Sequence, residues 1–220
     1  LMIPTVQTAI VRVVTSRLST DLNSTISIER VSILPFAGIR LNGFLLLDQQ
    51  QDTLFYAEKV RAGIDNFSIR KKHLYLKDAK FVEPFINLYQ HEERMNFSFL
   101  LDSLGGSRSD SAKWLYSIDN FSIENGKLDI SHSIFDNPEI AADKLLFTGL
   151  NIKIKRTSPI GEAIAFAVSE FSLREASGLL VEGFKSTGYV AEDKIVIDKL
   201  SFRTEKSLFD FEAVELPLRF

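Results

Sequence analysis

His73, His91 and His132 are the first residues to weigh for chemistry, and their spacing offers none. No His-x-x-x-His or His-Glu-x-x-His pair occurs, so the helical face of a zinc hydrolase is missing. His91-Glu92-Glu93 reads instead as a polar strand end. The chain has no cysteine, which removes thiolate zinc sites, iron–sulfur clusters, disulfides and cysteine nucleophiles together. Gly105-Gly106-Ser107 lacks the lysine and following helix of a phosphate loop, and no Gly-x-Ser-x-Gly elbow is present. Two acidic groups offer oxygens, Asp48 with Asp52 and Asp136-Asn137-Pro138-Glu139. Calcium needs about six to eight oxygens brought together, and both runs read as solvated turns. Arg70-Lys71-Lys72-His73 reads as a short basic turn, below what a polybasic membrane patch requires. The expectation is a non-enzymatic chain with no cofactor and no metal.

Chemistry of another kind lies in the elements that carry the apolar residues. Residues 4–22 have Val6, Ile10, Val13, Val14 and Leu18 at helical spacing after Pro4, which predicts an amphipathic helix. Such a helix either caps the end of a sheet or lies on a membrane surface. From Thr25 onward the period changes to two, and β-branched and aromatic residues dominate runs separated by Gly, Asn, Asp or Pro. Asn42-Gly43, Asn125-Gly126 and Asp136-Asn137-Pro138 supply turn chemistry. A short helix is expected near Phe97–Leu104; Ile164–Leu173 reads as a strand, with a helix near Pro159–Ala167 as the alternative. Residues 105–113 form a Gly- and Ser-rich linker or loop between a first β module at 23–104 and a second at 114–220.

The aromatic content is lopsided: 18 Phe stand against 5 Tyr and 1 Trp. Tyr and Trp are favoured where surfaces meet polar partners, so a Phe excess fits a large apolar interior or an apolar surface for a greasy guest. So few Tyr and Trp leave little for stacking against sugars. With a net charge of −3, the chain lacks the basic stripe of a nucleic-acid binder. No run is long enough for a membrane helix. The opening Leu1-Met2-Ile3-Pro4 has no initiator methionine or signal-peptide pattern, and reads as cut from something longer, which leaves room for an adjacent anchor.

The two halves echo each other. Ile64-Asp65-Asn66-Phe67-Ser68-Ile69 recurs letter for letter as Ile118-Asp119-Asn120-Phe121-Ser122-Ile123. Looser copies begin at Ile28, Val168 and Ile197. The shared form is apolar-x-x-apolar-Ser-apolar, and a one-residue bulge between positions one and four would bring all three apolar side chains to one face. An irregular repeat of this kind suits an extended β array. If such a sheet curls without closing, its inner face is a continuous apolar groove; in a sandwich, a second sheet hides that face. Periodicity leaves both open.

The order of several short motifs resembles a known family. Ile3-Pro4-Thr5-Val6-Gln7, Leu18-Ser19 and Ile26-Ser27-Ile28-Glu29-Arg30-Val31 are followed by Leu41-Asn42-Gly43-Phe44 and Leu47-Asp48. Asp52-Thr53-Leu54-Phe55-Tyr56-Ala57, Leu76-Lys77-Asp78-Ala79, and His91 with Asn96-Phe97 continue the order. It closes on Phe171-Ser172-Leu173-Arg174-Glu175-Ala176-Ser177-Gly178 and Ile195-Val196-Ile197-Asp198-Lys199-Leu200-Ser201-Phe202-Arg203-Thr204. Together these are similar to the N-terminal region of the TamB/AsmA-like envelope proteins of Bacteroidetes-type bacteria. The resemblance implies a periplasmic body behind an inner-membrane anchor, an elongated, curled antiparallel sheet with an open apolar groove (a β-taco), and a relation to bridge-like lipid-transfer proteins. It also implies phospholipid transport toward the outer membrane, or a part in outer-membrane protein assembly through a further C-terminal region. It carries no catalytic motif.

The expected lipid-groove residues are Phe67, Ile69, Leu74, Leu76, Phe121, Ile123, Phe171 and Phe202, with a phospholipid or other acyl lipid as the partner. The alternative expectation is a structural module that assembles outer-membrane proteins through edge-strand pairing.

Overall fold

The computed structural model describes residues 15–16, 19–20, 22–34, 38–68, 70–91, 94–100, 115–131, 144–157, 164–191 and 194–217. Most of the expected N-terminal helix lies outside these residues, as do the 105–113 linker, the 136–139 acidic run and Ile69. Residues 15, 16, 19 and 20 are helical. The Ser19 hydroxyl accepts a hydrogen bond from the Ile26 N–H at 3.0 Å, tying this segment to the first strand.

The protein is mainly β, built on one long, predominantly antiparallel sheet. Its strands are β1 (Ile26–Leu34), β2 (Gly38–Leu47), β3 (Thr53–Ser68), β4 (His73–Val82), β5 (Phe85–Leu88), β8 (Leu115–Ser131), β9 (Lys144–Arg156), β10 (Ile164–Glu175), β11 (Leu180–Val190), β12 (Lys194–Thr204) and β13 (Leu208–Pro217). The order across the sheet is β1-β2-β3-β4-β8-β9-β10-β11-β12-β13. β5 continues the lane of β4 between β3 and β8. A two-residue hairpin, β6 (Gln90–His91) with β7 (Arg94–Met95), is the only other pairing among the described residues.

One seam departs from the antiparallel expectation: β4 and β5 run parallel to β8. Parallel neighbours require a crossover, and the stretch between β5 and β8 supplies it. Its described part holds the hairpin and a helical turn at residues 98–100, within the expected helix near Phe97–Leu104. The strand expected over Ile164–Leu173 is β10, Ile164–Glu175, and not the alternative helix. Cross-strand pairing of β-branched and aromatic residues there outweighs the weak local helix signal.

Asn42-Gly43 and Asn125-Gly126 are not turns. Gly43 lies inside β2 and Asn125 inside an uninterrupted β8. Positive φ angles occur at Gly43 (61°), Glu83 (51°), Asn125 (54°) and Gly149 (61°), and register and side-chain bonds place them on one line across the sheet. Gly43 falls opposite Glu58, and Glu58 opposite Glu83. The Glu83 N–H donates to the Glu124 carbonyl at 2.8 Å, and Asn125 Nδ2 donates to Glu83 Oε1 at 3.2 Å. The Asn125 N–H donates to Asn151 Oδ1 at 3.0 Å, and Asn151 Nδ2 donates to the Gly149 carbonyl at 2.9 Å. Left-handed residues are an ordinary means of making a bulge. The ladders shift register beside Asn125 and Gly149, whereas Gly43 keeps its register with both neighbours, so the same residue chemistry that reverses a chain here sits in mid-strand.

β1, β2 and β3 also change the phase of their side-chain alternation at this line. Ile28 stands opposite Phe44, and Val31 opposite Leu41. Leu41 pairs with Val60, and Val60 with Phe81, whose ring meets that of Phe44 at 6.2 Å between centroids. Ile28 and Val31 therefore share a face despite their odd spacing. In the repeat copies at Ile64 and Val168, a register shift falls between positions one and four. In the copy at Ile197 the shift occurs against β11. The expected bulge is present in these three copies. The pairings of the copies at Ile28 and Ile118 carry no such shift, so an identical hexapeptide adopts different ladders under different neighbours.

Candidate site: an apolar face with a polar closure

One face of the sheet carries a continuous apolar belt. Its first part centres on Ile26, Leu46, Leu54 and Phe99, with Ile28, Phe44, Phe55, Phe97 and Leu100 packed against them. Its second part centres on Ile123, Leu150 and Leu173, with Phe81, Phe121, Phe147, Ile152 and Phe171 around them. Aromatic rings join the two: Phe55 meets Phe81 edge-to-face at 4.9 Å between centroids, and Phe81 meets Phe121 at a tilt at 5.5 Å. Edge-to-face pairs of this kind add about 0.5–1.5 kcal/mol beyond their area burial. The belt runs on through Phe171 and Phe184, 4.7 Å apart. At the far edge Phe202 stacks on Phe209 at 4.8 Å. Among the described residues no second sheet lies against this face; the Phe97–Leu100 turn packs over its β1–β3 end.

The expected groove residues fall into three groups. Phe121, Ile123 and Phe171 come together in the second cluster, where Ile123 is buried. Phe67 stands opposite Leu74, and Leu76 opposite both Ile64 and Ile118. These form a separate apolar row in which Phe67 is 41% exposed. Phe202 lies beside the β13 edge. Phe44, Phe55, Phe81 and Leu150, which knit the belt together, were not singled out by the repeat. For the three phenylalanines the signal was the Phe excess itself, distributed over positions outside the hexapeptide copies; Leu150 had only the period-two pattern of its strand.

The crossover is fastened to the sheet by a buried carboxylate. Asp48, at the end of the β2–β3 hairpin, is 0% exposed, which corrects the expectation of a solvated turn. Its Oδ1 accepts the N–H groups of Gln50 and Asp52, each at 2.9 Å. Its Oδ2 accepts the Tyr89 hydroxyl at 2.5 Å and Asn96 Nδ2 at 3.3 Å. Asn96 also donates to the Asn87 carbonyl at 2.9 Å and exchanges bonds with the Tyr89 backbone. Every oxygen of the carboxylate is thus used by the chain itself, the condition under which burying a charge is tolerable. Burial, reinforced by the Asp48 and Asp52 carboxylates, pushes the Tyr89 hydroxyl well above the ordinary tyrosine range. Asp52 is exposed, and no group of three or more metal-ligating side chains occurs among the described residues.

No protein-family model matches the chain, and no curated protein matches it.

Proposed function

We propose that this chain is a non-enzymatic segment of an envelope-biogenesis protein that shields lipid acyl chains in an apolar β groove. In this reading it is periplasmic, held by an inner-membrane anchor upstream, and passes phospholipid toward the outer membrane. The observation that carries the proposal is the apolar belt from β1 to β11 on a single sheet, with no second sheet over it among the described residues. Each methylene withdrawn from water contributes about 0.8 kcal/mol. Head groups stay at the open side, because burying them unpaired costs several kcal/mol. Bulges along the transverse line would curl the sheet around the guest.

A phospholipid with a photoreactive acyl chain tests this. Crosslinks are expected on Phe81, Phe121, Ile152 and Phe171, and not on Arg61 or Lys80, which point to the opposite face. Absence of crosslinks in folded protein, or crosslinks on the polar face alone, would overturn the proposal.

The second reading is an assembly module for outer-membrane proteins that works through its sheet edges. It is favoured by β13, where Leu208, Phe209, Phe211 and Leu216 are all exposed on a strand with one free edge among the described residues. Edges of this kind template the addition of another strand.

A further inference from the structure

Among the described residues β13 is paired on one side only, and the pattern of the strand it already accepts defines what its other side can accept. On β12, Ile195, Ile197, Leu200 and Phe202 stand opposite Leu216, Val214, Phe211 and Phe209. Both sets are spaced two, three and two residues, in opposite chain directions. The same spacing occurs on β1, the other edge of the sheet, at Ile26, Ile28, Val31 and Ile33. There, pairing with β2 and β3 puts all four on the apolar face. β1 therefore carries the apolar signature of β12 on a strand that has β2 as its only partner among the described residues.

The charges agree with this alignment. Setting Ile28 opposite Val214, antiparallel, puts Ile26 on Leu216, Val31 on Phe211 and Ile33 on Phe209. Arg30 then falls opposite Glu212, and Ser32 opposite Asp210. Arg30 occupies in β1 the place that Lys199 holds in β12, at the same offset from the repeat start. Arg30, Asp210 and Glu212 are exposed and make no ion pair among the described residues. A slip of one residue would bring apolar side chains against the polar face. Pairing β13 with β13 of a second copy about Glu212 would set like charges opposite each other, which is destabilising.

We infer that the free edge of β13 receives β1 of a second copy of this chain, so that copies join head to tail into one longer sheet. The inference rests on the edge-strand reading above and is independent of lipid. Because the two edges differ, the contact is heterologous and continues from copy to copy unless the rotation happens to close a ring.

The experiment follows assembly of the full chain by analytical ultracentrifugation across a concentration series. Species larger than a dimer are expected to grow with concentration. Arg30→Glu and Glu212→Arg should each weaken association about tenfold, from the lost attraction and the new repulsion across the strands. Mixing the two variants, or combining both changes in one chain, should restore it. Register is read by disulfide formation, which is clean because the chain has no cysteine of its own. Ser32→Cys mixed with Asp210→Cys should crosslink between chains, since opposed residues bring their Cβ atoms to about 4.5–5.5 Å, while neither variant should crosslink with itself. A monomer at every concentration, an association that stops at a symmetric dimer, or a charge swap that restores nothing would each overturn the inference. Unchanged acyl-chain crosslinking in the same variants separates its failure from that of the lipid reading.

Discussion

Asp48→Ala is expected to lower the stability of the chain by on the order of 3 kcal/mol, a large share of the 5–15 kcal/mol typical of a folded domain. The carboxylate accepts four hydrogen bonds, two from the hairpin backbone and two from the crossover. Bonds to a charged acceptor contribute about 1.5–3 kcal/mol each. Part of that is recovered: water reaches the exposed Gln50 and Asp52 positions, and Asn96 keeps the Asn87 carbonyl. The remaining loss falls on the Tyr89–Asn96 side, so the crossover should loosen more than the hairpin. Asp48→Asn should cost less, because its oxygen still serves the hairpin N–H groups while its amide meets Asn96 Nδ2 as a like donor. Urea midpoints at unchanged slope measure both. A surface turn residue would change stability by less than about 0.5 kcal/mol; a result that small would remove Asp48 from the role of fastener.

Tyr89 makes the same contact pH-sensitive on the alkaline side. Its folded-state pKa is raised above the ordinary tyrosine value of 10.0, so the folded chain holds a proton that the unfolded chain gives up. The associated stability is fully present below about pH 10 and is lost as pH climbs beyond it. Tyr89→Phe should flatten this alkaline loss, and thermal midpoints from pH 8 to 11 give the comparison, as an order-of-magnitude range around the tyrosine pKa.

The strand content and the repeat were legible because the period of two is a local property of the chain. The copies at Ile64, Val168 and Ile197 even carry the bulge that their odd spacing demands. Asn42-Gly43 and Asn125-Gly126 misled because a left-handed residue serves a reversal, a bulge or an in-register mid-strand position equally well. Only the neighbouring strand decides which. Asp48 was legible as an acidic turn and illegible as a buried one, since its partners Tyr89 and Asn96 lie 41 and 48 residues away. The parallel seam between β4 and β8 was equally out of reach, because nothing in either strand records the direction of its neighbour. Among the groove residues, Phe121, Ile123 and Phe171 followed from the repeat. Phe67, Leu74 and Leu76 shared the pattern without joining the central cluster, because their ladder shifts twice around Ile64.

Leu150→Ala is expected to cost about 2–5 kcal/mol, the range for removing a fully buried leucine, and its position in that range reports on what the apolar face is. Leu150 is 1% exposed and lies between Ile123 and Leu173 on the neighbouring strands. If the face were a sealed core, the deleted methyl groups would leave a rigid hole, the cost would sit at the upper end, and added lipid would not change it. If the face is an open groove, the surrounding rings and aliphatic chains can lean into the space and the cost falls toward the lower end. A guest acyl chain then also restores stability, by RT ln(1 + [L]/Kd) for a ligand that binds only the folded state. Urea unfolding of wild type and Leu150→Ala, each with and without a short-chain phospholipid below its micelle concentration, separates the cases. Stabilisation of both proteins by lipid supports the groove. A full-size loss with no lipid response in either would mean that Leu150 belongs to a closed core, and the lipid-shielding function would fall with it. Leu208→Ala, at a side chain 66% exposed on the β13 edge, serves as the control and should shift stability by less than about 0.5 kcal/mol under every condition.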